Sequence, residues 1–122
     1  MRNKFVSFSR AIINLEEVLE VEKTSIVRDS AIKRYELCYE LAWKSIQELL
    51  KTEGLESCKT PRKCFKEAFK LGWIQNEIGF LDMVENRNLT THVYNEELAE
   101  AIYIKLKLYL ELFKNLASNL DE

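Results

Sequence analysis

One proline and three glycines in 122 residues leave little material for turns. No hairpin dipeptide appears and no strand-like alternation persists, so a fold of many short strands is excluded. The chain also lacks any run of about 18 apolar residues, and no membrane span is expected. Its first stretch, MRNKFVSFSRAIINLEE, is interrupted by Arg10 and then by Glu16 and Glu17, which makes a poor secretory leader. A single histidine and three cysteines (Cys38, Cys58, Cys64) without CxxC spacing offer little for a zinc site. No metal and no cofactor is therefore expected, and the thiols are expected to be reduced in a cytoplasmic protein. There is no GxxxxGK[ST], no GxGxxG, no HExxH and no nucleophile elbow. The net charge of −2 exerts no global pull on nucleic acid or anionic membrane, so any polyanion contact must come from a local patch.

What the chain does have is a balance of 47% hydrophobic and 31% charged residues, suited to a folded globular protein rather than a disordered one. Its length predicts one domain, residues 1–122, large enough to bury a core without staples. Phe5, Phe8, Ile12, Leu15 and Leu19 recur at steps of three and four and predict a first helix over about 2–21. Thr24 and Ser25, and then Arg28, Asp29 and Ser30, read as helix-start residues. Ile32, Tyr35, Tyr39, Ala42, Ile46 and Leu49 carry the stripe of a long second helix, with Gly54 as its stop. Thr60 and Pro61 open a short third helix on which Phe65, Ala68 and Phe69 are expected to face inward. A fourth runs from about Glu77 to near Arg87, with Ile78, Leu81 and Val84 on one face. Asn95 caps a fifth, whose stripe is Leu98, Ile102, Leu106, Tyr109, Phe113 and Leu116. The architecture predicted is an all-α, four-helix up-and-down bundle with one additional short helix. Extra apolar residues on the second and fifth helices suggest a homodimer, or else a wider core.

Two stretches carry candidate chemistry. Lys59, Arg62, Lys63, Lys66 and Lys70 place most of their charge on one helical face. That face could track a phosphate backbone or simply be solvated; the absence of interleaved aromatics favours the second. Arg62, Lys63, Lys66 and Lys70 are the candidate contacts to RNA or a partner. The other stretch is RNLTTHVY, Arg87 to Tyr94. On a continuous helix Arg87 and His92 would diverge by about 140°. Asn88, Thr90 and Thr91 are weak helix formers, so a loosened turn would let both side chains reach one cleft. An imidazole can move a proton near neutral pH, and a guanidinium forks onto phosphate oxygens. Together they could cleave RNA without metal, His92 handling protons and Arg87 the developing charge, with Asn88 as an orienting donor. A histidine that merely closes a helix end explains the same residues.

The blocks RDSAIKRYELCYELAWKSIQELL, TPRKCFKEAFKLGWI and MVENRNLTTHVYNEELAEAIY, in this order and spacing, resemble the HepT-like HEPN family. That family is also described as the nucleotidyltransferase substrate-binding proteins. The resemblance rests above all on the Arg-x4-His-x-Tyr pattern. It implies a homodimeric helical bundle that pairs with a minimal nucleotidyltransferase (MNT) as a toxin–antitoxin system. It implies metal-independent endoribonuclease activity, with Arg87 and His92 as catalytic pair and Asn88 as the polar residue after the arginine. Tyr94 would be the residue that the partner modifies with AMP, and Asp29 and Glu36 would line the same cleft. The family's older description implies an alternative, a non-catalytic subunit that binds a nucleotide or substrate for the transferase. No nucleotidyltransferase signature is present in this chain, so transfer would need the partner.

Overall fold

The computed structural model describes residues 2–121. They form five helices: α1 (Asn3–Leu19), α2 (Ser25–Thr52), α3 (Pro61–Lys70), α4 (Glu77–His92) and α5 (Glu96–Leu120). No helix among the described residues is long and apolar enough to cross a membrane. Four side chains cap helix starts by accepting a first-turn N–H: Thr24 from Val27, Thr60 from Lys63, Asn76 from Gly79 and Asn95 from Leu98. Gly54 and Gly72, at φ 72° and 79°, close α2 and α3 in the left-handed region that a side chain would strain.

The four long helices alternate in direction. Lys4 meets Glu48 and Arg34 meets Asn14, so α1 and α2 are antiparallel. Asp82 meets Lys105 and Tyr109, and the Gly79 Cα lies close under Leu112, so α4 and α5 are antiparallel too. The two parallel members, α2 and α5, pack on the bundle diagonal through the stacked rings of Tyr35 and Tyr109, 5.3 Å apart. A chain of buried aromatics joins the rest: Phe8 on Phe113 at 5.9 Å, and Phe65 on Phe80 at 4.9 Å. Each such fully buried ring contributes about 1.5–3 kcal/mol of transfer free energy, before the entropy it loses. The Tyr35 hydroxyl is satisfied by donating to the Met83 carbonyl at 2.7 Å, which ties α2 to α4.

The bundle with one extra short helix matches expectation, and three local readings are corrected. Phe69 and Ile78 do not face inward; they are 44% and 82% exposed. Phe69 borders the buried stripe of Cys64, Phe65 and Ala68, whereas Ile78 lies on the opposite side of α4 from Phe80, Met83 and Val84. Cys58 and Cys64 are not reduced thiols but form a disulfide, because the 53–60 connection folds back until their Cα atoms are 5.1 Å apart. Cys38 is free and buried, and burial pushes its thiol up to about 12. Third, the apolar excess of α2 is mostly core. Leu49 and Leu50 are buried, while Leu37 remains exposed. Other apolar residues are also exposed, among them Ile78 and Leu89 on α4 and Ile104 and Leu108 on α5.

Candidate functional site

The stretch Arg87–Tyr94 comprises the last turns of α4 and most of the 93–95 connection to α5. The loosened turn expected between Arg87 and His92 is absent. The helix runs unbroken through His92, and Val93 N–H donates to the Leu89 carbonyl at 2.8 Å. Two of the weak helix formers, Thr90 and Thr91, bond within this turn, and Thr90 also bonds across to α2. Thr90 and Thr91 hydroxyls turn back onto the Arg87 carbonyl at 2.9 and 3.2 Å, and Arg87 Nη1 donates to Thr91 Oγ1 at 2.8 Å. Thr90 Oγ1 also reaches across to Glu36 on α2 at 2.7 Å.

This continuity sorts the motif into two faces. Arg87 turns toward α2, with Nη1 3.8 Å from Glu36 Oε2. His92 is exposed and points about 140° away. Asn88, one turn before His92, shares its exposed face rather than that of Arg87. Within one protomer, therefore, Arg87 and His92 do not converge.

Tyr94 and Asp29 do converge. The Tyr94 hydroxyl donates to Asp29 Oδ1 at 2.9 Å, across 65 positions of sequence. The same oxygen accepts from Arg28 Nε at 3.0 Å. Arg28 is only 3% exposed, and its remaining nitrogens fork onto Glu96 at 2.7 and 3.0 Å and reach Glu100 at 2.9 Å. Such forked, charge-assisted bonds fix geometry well. Glu96, then Glu100 and Asp29, hold the Arg28 guanidinium still more firmly protonated than usual. In return Arg28, and after it Tyr94, keeps the Asp29 carboxyl below its ordinary range. Burial, reinforced by the Asp29 carboxylate, pushes the Tyr94 phenol up to about 12. Asp29 and Glu36, the two carboxylates that the resemblance places in one cleft, contact different members of the motif: Asp29 meets Tyr94, and Glu36 meets Thr90 and lies near Arg87.

The basic helix divides as well. Lys59, Lys63, Lys66 and Lys70 line an open cleft of about 1060 Å³ with Leu55, Phe69 and Leu71. Arg62 stands apart and lies 3.6 Å from Glu85. The exposed ring of Phe69 supplies an aromatic on this face, where helical spacing predicted none.

Two features escaped the sequence reading. One is Arg28, whose position four before Ile32 on the inner stripe was the available signal. The other is Asn86, buried one turn beyond Met83, which donates to the Tyr109 hydroxyl at 2.7 Å. Tyr109 in turn donates to Asp82 at 2.5 Å, and Lys105 donates to Asp82 at 3.0 Å. Burial alone would raise the Asp82 carboxyl; Tyr109 and Lys105 together bring it below its usual value. This network sets the roll of α4 on α5, and so the direction of Arg87 next to it.

Known structures of the same architecture define the class. A protein from Thermus thermophilus superposes with a TM-score of 0.86 at 34% identity, over 94% of this chain and 99% of that one. A tri-AMPylated HEPN toxin from Shewanella oneidensis, solved in complex with an MNT antitoxin, superposes with a TM-score of 0.77, over 97% of this chain and 93% of its own. At 21% identity that second likeness concerns the fold. The class defined by these likenesses is that of the fold, an all-α helical bundle. Residues 3–122 match the family model described as nucleotidyltransferase substrate binding protein like, and the chain belongs to that family. A probable ribonuclease HepT from Haemophilus influenzae is 30% identical over 94 residues, 70% of this chain. The match spans about 64% of that curated relative's length.

Proposed function

We propose that this chain is a HepT-type toxin, a metal-independent endoribonuclease acting as a homodimer, paired with a minimal nucleotidyltransferase antitoxin that places AMP on Tyr94. The observation that carries this reading is the arrangement of Arg87, His92 and Tyr94 on one helix end and its loop, all open to solvent at least in part. Membership of the family and the likeness to a probable ribonuclease HepT support it. In the reaction, a proton leaves the ribose 2′-hydroxyl as its oxygen attacks the adjacent phosphorus. The bond to the 5′-oxygen breaks, and that oxygen takes up a proton. His92 serves as the proton-transfer group and Arg87 stabilises the charge on the phosphoryl oxygens.

Because Arg87 and His92 diverge on one helix, a single copy offers a phosphodiester only one of them at a time. A dimer answers this. The exposed apolar residues Ile78 and Leu89 on α4 and Ile104 and Leu108 on α5 are taken as part of the face that it buries. Burying that face against a second copy brings two sets of motif residues to one seam. Lys63, Lys66 and Lys70, with Phe69 beside them, are read as a secondary RNA contact, where phosphates meet cations and a base meets the ring. Incubating the purified protein with RNA in EDTA tests the reading. Cleavage is expected for the wild type and a loss of at least about a hundredfold for His92→Ala. Equal, negligible cleavage by both proteins removes the nuclease assignment.

A further inference from the structure

We infer that Asp29 is the proton acceptor that readies Tyr94 for nucleotidyl transfer, with Arg28 as the residue that positions it. This rests on the reading of Tyr94 as the modified residue and adds the group that makes its hydroxyl reactive. A phenol is a poor nucleophile while it keeps its proton. Transfer of AMP forms a bond from Tyr94 Oη to the α-phosphorus of a nucleoside triphosphate. It breaks the bond from that phosphorus to the bridging oxygen, pyrophosphate leaves, and the phenolic proton must go to a base. The Asp29 carboxylate already accepts that hydrogen at 2.9 Å, within the reach a general base needs.

The arrangement fits a base in three further respects. The hydroxyl points its hydrogen at Asp29, so its lone pairs are free to face an incoming phosphorus from the solvent side, where Tyr94 is exposed. The carboxylate cannot swing away, because the buried Arg28 guanidinium grips the same oxygen and is itself anchored on α5 by Glu96 and Glu100. And an ionised Asp29 is present across the neutral range, ready to receive a proton that grows more acidic as the oxygen–phosphorus bond forms. The charged groups around the pair are Arg28 and Glu36 on α2 and Glu96 and Glu100 on α5, and Lys23 pairs with Glu100 at 2.5 Å. None of these other carboxylates bonds the Tyr94 hydroxyl, so Asp29 is the base in place.

The test follows AMP addition by intact-protein mass spectrometry, with the full chain, its nucleotidyltransferase partner and magnesium ATP. Wild type, Tyr94→Phe, Asp29→Asn and Asp29→Glu are compared across pH. Asp29→Asn keeps a hydrogen-bond acceptor but no base, and is expected to slow the initial rate by about a hundredfold at pH 7. That deficit should shrink as pH rises toward the ionisation of the phenol, when no base is needed, and Asp29→Glu should recover part of the rate. A wild-type rate in Asp29→Asn, with none in Tyr94→Phe, overturns the inference and leaves the modification site standing. So does a deficit that stays constant with pH, which marks a structural role. If Tyr94→Phe gains AMP as the wild type does, or the wild type gains none, the underlying reading falls and this inference with it.

Discussion

Arg28 shows how one side chain can set the acid sensitivity of the bundle. Its guanidinium is almost wholly buried, and the three carboxylates that satisfy it, Asp29, Glu96 and Glu100, are all held below their ordinary values. For Glu96 and Asp29 the principal cause is Arg28; for Glu100 it is Lys23, then Arg28. A carboxyl that ionises more readily in the folded chain than in the unfolded one adds stability above its unfolded pKa. That stability is withdrawn as pH falls through the folded value. The melting temperature of the wild type is therefore expected to drop as pH is lowered from about 5 toward 3. Glu96→Gln, which removes one titrating partner, should melt lower at pH 7 and lose less on acidification. Parallel curves for the two proteins would contradict the linkage. The exposure of Glu96 screens its share, so the difference is expected to be modest.

At the scale of elements, α4 is the instructive case. Its beginning obeys local rules, with Asn76 as cap and Glu77 in the first turn. Its end does not. Asn88, Thr90 and Thr91 argue against helix, and by propensity alone α4 would stop near Arg87. The last turn persists because Glu36, on another helix, accepts from Thr90 and lies near Arg87. Propensity differences here amount to a few tenths of a kcal/mol per residue, and a tertiary hydrogen bond to a charged group outweighs them at about 1.5–3 kcal/mol. Glu36→Ala is thus expected to speed amide hydrogen exchange over residues 89–93 while leaving α1 and α5 protected. Unchanged exchange would mean that the turn stands on its own. By contrast, the starts of α2, α3 and α5 were legible directly, since Thr24, Thr60 and Asn95 act within three residues of themselves. Phe69 and Ile78 depart from expectation because apolar spacing alone does not say which side of a helix its neighbours will cover.

For the molecule as a whole, the apolar residues left outside decide the expected assembly. Ile78 and Ile104 are 82% and 77% exposed, and Leu89 and Leu108 lie with them along α4 and α5. Exposed apolar residues on neighbouring helices are candidates for an interface. Light scattering is expected to give twice the 14.4 kDa of one chain, and Ile104→Glu is expected to shift the mass toward the monomer and to reduce RNA cleavage with it. A monomeric wild type would require Arg87 and His92 to act from one copy, against their divergence on α4.

The amino-acid sequence by itself determined the five helices and the caps at Thr24, Thr60 and Asn95, because apolar period and first-turn hydrogen bonds operate over three or four residues. It also named the candidate residues, through the Arg-x4-His-x-Tyr pattern at the end of α4. Only the tertiary structure decided what those residues touch. Tyr94 meets Asp29 across 65 positions and Thr90 meets Glu36 across 54. Cys58 finds Cys64 through a loop that folds back, and Arg87 turns from His92 because a distant carboxylate keeps the helix wound. Such pairings depend on how α2, α4 and α5 cross, and that crossing is fixed by the buried rings of Tyr35, Tyr109 and Phe113 rather than by any signal local to the site.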